Sequence, residues 1–260
     1  MAGGRFRGRN AEAAGAEIKA LTLVGGMTLL ARALSALRDV PAVARIVVVG
    51  PEAVKASLPE QIEWIPETST LLGNVRAGAA AAYPDASGDT VLLIGSDLAA
   101  PQASSLTDFI DRSPERLGVT VPLVERSSVE SAFPGCPGAY VPLREGQFTI
   151  GSQFLAPVSL LLNPTPGMAA MLGHRKSQLL MARTLGWPIA WGLLRRTLTI
   201  EQLEQRASII LGAPAGAVRD CAPDLAFDID DERDLVFARA WHEKSGRSFG
   251  ATGRSPAGFG

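Results

Sequence analysis

An aspartate follows the most continuous apolar run of the chain. The run T-V-L-L-I-G at residues 90–95 predicts a buried parallel strand. Asp97 lies two residues after the end of this run. Open α/β sheets place their ligands at the carboxyl ends of such strands. A carboxylate there can hold Mg²⁺, which binds through few carboxylates together with the phosphates of a substrate. The alternative is that Asp97 only caps the helix expected after it.

A second acidic cluster, F-D-I-D-D-E-R-D-L, occupies residues 227–235. If the apolar residues beside them face the core of an extended segment, Asp228 and Asp230 project together to the other side. Two adjacent carboxylates repel each other unless a cation or a proton lies between them, which favours a metal site. The later acidic residues need no ligand, since they complement the dipole of a following helix. Only Asp228 and Asp230 are therefore candidate ligands.

Glycines and basic residues at the start of the chain could hold phosphate. Gly3 and Gly4 let backbone N–H groups approach a polyphosphate, and Arg5, Arg7 or Lys19 supplies positive charge. The segment matches neither a Walker P-loop nor the GxGxxG fingerprint. A frayed terminus is the alternative interpretation.

A compact basic cluster lies in the second half of the chain. Arg175 and Lys176, preceded by His174, stand at the expected start of a helix. They could clamp an anionic substrate through charge-assisted hydrogen bonds, or they belong to an ordinary solvated surface. Without a G-x-S-x-G element, a Ser-His-Asp hydrolase is poorly supported.

Strands and helices alternate between these motifs. Strands are expected at residues 45–50, 62–65, 90–95 and 118–124, and helices at 29–37, from about 52, at 70–83 and at 102–112. Such alternation predicts an α/β fold with a mostly parallel sheet covered by helices on both faces. Further on, the sequence predicts a hairpin over 140–150, helices at 167–172, 175–185, 200–211 and 232–243, and strands at 218–220 and 225–228. No strand or strong helix pattern precedes Lys19, so the domain is expected to lack a first strand.

Composition limits the class of protein. The 260 residues include 25 Lys+Arg and 26 Asp+Glu, and this balance argues against a nucleic-acid-binding module. No apolar stretch approaches the roughly 18 residues of a membrane span, while two cysteines and two histidines make neither a disulfide framework nor a His-rich metal centre. The sequence predicts a cytoplasmic protein with one domain at residues 1–244 and a disordered Gly/Ser/Arg tail at 245–260.

In order and spacing, these motifs resemble those of the MobA-like NTP transferase family, nucleotidyltransferases with a GT-A fold. The matching segments are A-G-G-R at residues 2–5, K-A-L at 19–21, the segment 69–78 with G-N-V, L-L-I-G-S-D-L at 92–98, R-K at 175–176 and F-D-I-D at 227–230. The resemblance covers about residues 2–243. It implies a three-layer, Rossmann-like α/β domain with a mixed, mostly parallel sheet.

The resemblance also implies an activity and a set of site residues. An NMP group would pass from an NTP (GTP or CTP) to a small phosphorylated or hydroxyl acceptor, with release of pyrophosphate. Asp97, with Asp228 or Asp230, would bind Mg²⁺, and Arg175 and Lys176 would bind the anionic acceptor. Lys19 and Asp97 would be the catalytic pair, and the nucleotide would be held by Ala2, Gly3, Gly4, Arg5, Lys19, Ser69 and Asn74. Neither nucleic acid nor a membrane is an expected partner.

Two other functions remain open at this stage. A GT-A glycosyltransferase using a nucleotide sugar is disfavoured, because Asp97 is followed by Leu98 and Ala99 rather than by a second aspartate of a D-x-D motif. A catalytically impaired nucleotide-binding or regulatory protein is the second alternative, suggested by the missing first strand.

Overall fold

Helices and strands alternate along most of the chain. The structure is a computed structural model, and it describes residues 1–6, 8–83, 90–174, 180 and 184–246. The strands are β1 (Leu23–Val24), β2 (Met27–Thr28), β3 (Val47–Gly50), β4 (Glu63–Pro66), β5 (Thr90–Ile94), β6 (Val119–Glu125), β7 (Val141–Leu143), β8 (Gly146–Ile150), β9 (Gln153–Pro157) and β10 (Ala215–Val218). The helices are α1 (Arg9–Ala14), α2 (Leu29–Arg38), α3 (Glu52–Lys55), α4 (Leu71–Ala82), α5 (Ala103–Asp111), α6 (Arg126–Ala132), α7 (Val158–Leu162), α8 (Pro166–His174), α9 (Trp187–Leu194), α10 (Ile200–Leu211) and α11 (Glu232–Ser245).

The larger sheet is mixed, which confirms the α/β fold class, although four of the five strand pairs described in it are antiparallel, in contrast to the mostly parallel pairing expected from the sequence. β9 pairs with both β5 and β6 and runs antiparallel to each, while β10 runs parallel to β6. β8 continues along β6 and forms a hairpin with β7, and β3 and β4 form a separate parallel pair. Since β5 and β6 both oppose β9, their carboxyl ends lie at the same edge of the sheet.

Residues at the start of the chain lie between the two sheets. The Ala2 N–H donates to the carbonyl of Val49 at 2.8 Å, and the Met1 ammonium group donates to the carbonyl of Ile94 at 2.8 Å. The glycine-containing segment therefore begins between the carboxyl ends of β3 and β5.

Helices cover both faces of the sheet, because side chains along each strand alternate between them. On one face, Leu92 and Ile94 pack into a cluster that includes Leu37, Phe109 and Leu235 of α2, α5 and α11. On the other face, Val91 and Leu93 pack with residues of α4, α7, α8 and α10. This is the three-layer arrangement expected from the sequence. None of the helices in the described part of the chain is long and apolar enough to cross a membrane.

Several elements differ from the sequence-based expectations. The segment before Lys19 contains the short helix α1. This helix ends at Ala14 and is capped by Gly15, whose backbone is in the left-handed conformation (φ 68°). The strand expected at 225–228 is wrong: a 3-10 helix at Pro223–Ala226 occupies its first half, and Asp228 forms only an isolated antiparallel bridge with Leu98. Proline suits the first turn of a helix, where its missing N–H costs no hydrogen bond.

Other differences concern element boundaries and elements that no sequence pattern predicts. The late strand expected at 218–220 is β10, which ends at Val218. β9, α6, α7 and α9 carry no clear periodicity and were not expected. The helix expected at 175–185 and the tail expected at 245–260 fall largely outside the described residues, although α11 runs to Ser245.

A buried carboxylate joins α5 to the 3-10 helix. Asp224 is 2% exposed, and it accepts hydrogen bonds from the Ser105 hydroxyl at 2.7 Å and from the Gln102 N–H at 3.0 Å. Gln102 is the residue before the first turn of α5. Burial raises the pKa of Asp224, and the two donors oppose this shift. The carboxylate therefore serves as a distant cap for α5.

Replacing Asp224 with alanine is expected to lower the free energy of unfolding by about 1–3 kcal/mol, because the buried Ser105 hydroxyl and the N–H that begins α5 lose their acceptor. Urea denaturation followed by circular dichroism measures this loss. Ser105→Ala removes one of the two donors and keeps the hydrogen bond from the Gln102 N–H to Asp224, so it should lower the free energy of unfolding by less. An Asp224→Ala midpoint equal to that of the unaltered chain contradicts the capping role.

Candidate nucleotide and metal site

Backbone pairing brings the two acidic segments together. The Ile229 N–H donates to the Asp97 carbonyl at 2.9 Å, and the Ala99 N–H donates to the Phe227 carbonyl at 2.8 Å. These bonds flank an antiparallel bridge between Leu98 and Asp228. The segment containing Asp228 therefore lies alongside the chain that follows β5. This pairing places the Asp228 carboxylate beside Asp97.

The Asp97 and Asp228 carboxyl groups are both buried next to other acidic groups. Burial, followed by the charges of Asp97 and Asp230, raises the pKa of Asp228 to about 7, although a hydrogen bond from Ser152 Oγ at 3.0 Å opposes this shift. Burial also raises the pKa of Asp97, and the charge of Lys19 is the largest opposing effect. The site thus concentrates negative charge that its own cation only partly compensates.

Lys19 supplies that cation. It lies in the 3-10 helix Lys19–Leu21, and its side chain is 11% exposed. Its Nζ lies 2.6 Å from Asp230 Oδ1 and 3.8 Å from Asp97 Oδ2. It also lies 5.5 Å from the centre of the Phe6 ring. The lysine therefore links the start of the chain to both acidic segments.

The glycine loop, residues 2–6, packs closely against its neighbours. A Cβ on Gly3 would lie 2.4 Å from Glu67 Oε2, and one on Gly4 would lie 3.3 Å from Cδ of Lys19. Arg5 forms an ion pair with Glu67. A side chain at residue 3 would therefore displace the Glu67 carboxylate from this position. Arg7 lies outside the described residues.

The turn before α4 lies beside this loop. Asn74 is 8% exposed, and its Oδ1 accepts hydrogen bonds from the Thr68 N–H at 2.5 Å and the Thr68 hydroxyl at 2.9 Å. Its Nδ2 lies 3.9 Å from the position of a Cβ on Gly3. Ser69 is exposed in the same turn. Asn74 therefore positions the turn, and Ser69 faces solvent next to it.

The structure assembles most of the residues singled out in the sequence. The glycine loop, Lys19, Asn74 and the three aspartates lie at one edge of the fold, whereas Arg175 and Lys176 fall outside the described residues. Two further residues belong to this edge: Glu67, which pairs with the glycine loop, and Ser152, which donates to Asp228. No sequence motif marks either one, because their roles depend on contacts between distant segments.

The carboxylates of this edge suit a hard cation such as Mg²⁺ whose remaining ligands are phosphate oxygens and water. In the part of the chain that the structure describes, no cluster of three or more side chains forms a ready-made metal site. Asp97 and Asp228 nevertheless offer two interacting carboxylates, and Mg²⁺ is usually bound by one or two carboxylates plus substrate phosphates and water. Asp230 fits this role less well, since it pairs with Lys19 and its side chain is 76% exposed.

Comparison with solved structures supports this fold. The chain is similar to a hypothetical transferase from Thermus thermophilus, with 30% identity, a TM-score of 0.75, and coverage of 90% of this chain and 96% of that chain. It also resembles 4-diphosphocytidyl-2C-methyl-D-erythritol synthase from Anaerococcus prevotii, with 12% identity, a TM-score of 0.54, and coverage of 85% and 88%. A CMP:2-keto-3-deoxy-manno-octonic acid synthetase complexed with CTP matches with 13% identity, a TM-score of 0.53, and coverage of 87% and 92%.

At such low identities the two synthases show a shared Rossmann-like fold alone. A search of curated proteins gave no match. The model of the MobA-like NTP transferase domain, however, matches residues 1–242, nearly the whole of the described chain. This match includes the glycine loop, Lys19 and all three aspartates. The chain belongs to the MobA-like NTP transferase family, whose members are nucleotidyltransferases.

Proposed function

We propose that this protein transfers an NMP group from an NTP to a small acceptor that carries a phosphate or hydroxyl group, with release of pyrophosphate. The observation that supports this most directly is the meeting of the glycine loop, Lys19 and the Asp97–Asp228 pair at one edge of the fold. Phosphoryl-type transfer depends mainly on positioning and charge neutralisation, and these groups provide both.

The residues of the edge have distinct roles in this proposal. Backbone N–H groups of the glycine loop contact the triphosphate, and Lys19 neutralises charge that develops on the leaving pyrophosphate. Asp97 and Asp228 hold Mg²⁺, which when bound supplies further positive charge beside the phosphates. Asp230 orients Lys19 through the hydrogen bond to its Nζ. Ser69 and Asn74 border the nucleotide at the turn before α4.

The proposed bond changes need no histidine. An oxygen of the acceptor attacks the α-phosphorus in line, and the bond from that phosphorus to the bridging oxygen of pyrophosphate breaks. A phosphate acceptor is already anionic at neutral pH, so no proton has to be removed from it, whereas a hydroxyl acceptor releases its proton to solvent water as the new bond forms. Arg175 and Lys176 are proposed to bind its remaining charge.

A screen for pyrophosphate release tests this function. The full chain is incubated with Mg²⁺, each of the four common NTPs, beginning with CTP and GTP, and a panel of sugar phosphates, polyol phosphates and alcohols. We expect release with one nucleotide and one acceptor class, and its loss on addition of EDTA. Calorimetric binding of an NTP without release for any pair would favour the non-catalytic alternative. Absence of NTP binding would contradict both.

A further inference from the structure

Large apolar side chains lie exposed on one face of the larger sheet. Val141 is 39% exposed, Ile150 is 55% exposed and Phe154 is 40% exposed. The strand register pairs Val141 with Phe148 and Phe154 with Leu93. Ile150 follows Phe148 by two residues in β8, so it points to the same side. We call these three side chains the apolar strip.

Contacts of their neighbours show that the strip occupies a single face. Leu93 packs into the cluster that includes residues of α4, α7 and α8. Phe148 packs into a cluster that includes residues of α9 and α10. Val119 and Leu123 of β6 belong to these two clusters respectively, and residues four apart in a strand point to the same side. The strip is therefore an exposed part of the face on which both groups of helices pack, in the part of the chain that the structure describes.

The apolar strip is continuous with the carboxylate site. Ser152 stands between Ile150 and Phe154 in the chain, and its hydroxyl donates to Asp228. The Ser152 carbonyl also accepts a hydrogen bond from the Gly95 N–H at 3.1 Å, two residues before Asp97. Ile150 and Phe154 each stand two residues from Ser152 in the chain, at the end of β8 and near the start of β9. The apolar strip therefore borders the carboxylate site.

This arrangement indicates the chemical class of the acceptor, given the proposed function on which the inference rests. Single exposed apolar residues are common on protein surfaces, but several on one sheet face beside a polar reaction site are typical of a ligand-binding surface. We propose that the acceptor is amphiphilic: its phosphate or hydroxyl group lies at the carboxylate site and an apolar body lies along Phe154, Ile150 and Val141. The continuity through Ser152 favours this occupant.

A series of alkyl phosphates provides the test. Ethyl, butyl, hexyl and octyl phosphate present one head group and a growing apolar chain to the full-length protein, and calorimetry measures their affinities. We expect octyl phosphate to bind at least about tenfold more tightly than ethyl phosphate, because each additional carbon is removed from water on the strip. Phe154→Ser and the double variant Phe154→Ser/Ile150→Ser should reduce this ratio to about threefold or less, with ethyl phosphate binding unchanged.

Matched controls lie elsewhere on the surface. Val236→Ser on α11 (59% exposed) and Ile209→Ser on α10 (71% exposed) also remove exposed apolar side chains, and both should keep the tenfold ratio. An affinity independent of chain length, or an equal loss in the control variants, overturns the proposal. So does a dimer in sedimentation that Phe154→Ser dissociates without altering alkyl phosphate binding, because a second copy would then be the occupant.

The pyrophosphate assay separates this inference from the proposed function. Chain-length-dependent binding that Phe154→Ser abolishes, with no pyrophosphate release from any NTP, contradicts the transferase function and leaves an amphiphile site. Pyrophosphate release with polar acceptors, combined with chain-length-independent binding, supports the transferase function and overturns the apolar subsite. The expected result is release that increases with chain length and loses this dependence in Phe154→Ser.

Discussion

Asp97→Asn is expected to lower kcat/KM for pyrophosphate release by about a thousandfold or more. Without this carboxylate the site would lose the divalent cation that neutralises charge on the reacting phosphates. Asparagine has nearly the same shape and keeps an oxygen in place, but it has no negative charge with which to hold a divalent cation. The backbone bond from the Ile229 N–H to the Asp97 carbonyl is unaffected. Steady-state kinetics with saturating Mg²⁺ measures the loss.

Stability separates a loss of chemistry from a loss of fold in this variant. Burial raises the pKa of Asp97, so the ionised side chain is unfavourable in the folded protein without ligand. Asp97→Asn should therefore be at least as stable as the unaltered chain in urea at pH 8. Asp111→Asn, the same change at an exposed position on α5, is the matched control and should retain full activity. An Asp97→Asn rate within a fewfold of the original would refute the proposed metal role.

Local sequence patterns were sufficient to locate the elements that carry the site. The apolar run at 90–95 predicts β5, and Asp97 lies just after its carboxyl end, where open α/β sheets bind ligands. The expected parallel pairing of this strand is wrong, because β5 pairs antiparallel with β9. The helix predicted at 70–83 begins at Leu71 because the Thr70 hydroxyl accepts the Gly73 N–H at 3.0 Å. These features depend on neighbours in sequence, and a single sequence contains that information.

Features that depend on distant segments could not be predicted in the same way. β9 inserts between β5 and β6 and opposes both, yet no short-range pattern specifies its partners. Glu67 follows a weak strand, and only the close approach of Gly3 reveals its position in the site. The segment 225–228 has the apolar residues of a strand, but the 3-10 helix at Pro223–Ala226 is favoured because it lets Asp224 cap α5.

The structure also distinguishes the roles of Asp228 and Asp230. The alternating pattern of side chains in the sequence places both on the same side of an extended segment and does not tell them apart. Asp228 lies beside Asp97, and its raised pKa reflects burial and the charges of Asp97 and Asp230. Asp230 is mostly exposed and hydrogen-bonded to Lys19 Nζ. We therefore assign the second proposed metal ligand to Asp228 and the orientation of Lys19 to Asp230. The sequence left this choice open because it does not show where Lys19 lies.

Lys19→Met should lower kcat/KM by about a hundredfold to a thousandfold, the loss typical of removing one electrostatic donor from a preorganised site. Methionine retains an apolar stem of similar length against the Phe6 ring but removes the charge between Asp97 and Asp230. If Lys19 acts mainly on the leaving pyrophosphate, the loss appears in kcat. If it only binds the ground-state triphosphate, the loss appears in KM instead.

The stability of the same variant depends on pH in a defined direction. Without Lys19, ionised Asp97 has lost the cation that most strongly favours its charged form. The free energy of unfolding should therefore fall most above the pKa of Asp97, and the difference from the unaltered chain should shrink as the pH falls and the carboxyl group is protonated. Lys19→Arg keeps the charge and should recover most of the stability at pH 8. A Lys19→Met deficit that is the same at pH 5 and pH 8 would show that Lys19 contributes packing alone, because packing does not titrate with Asp97.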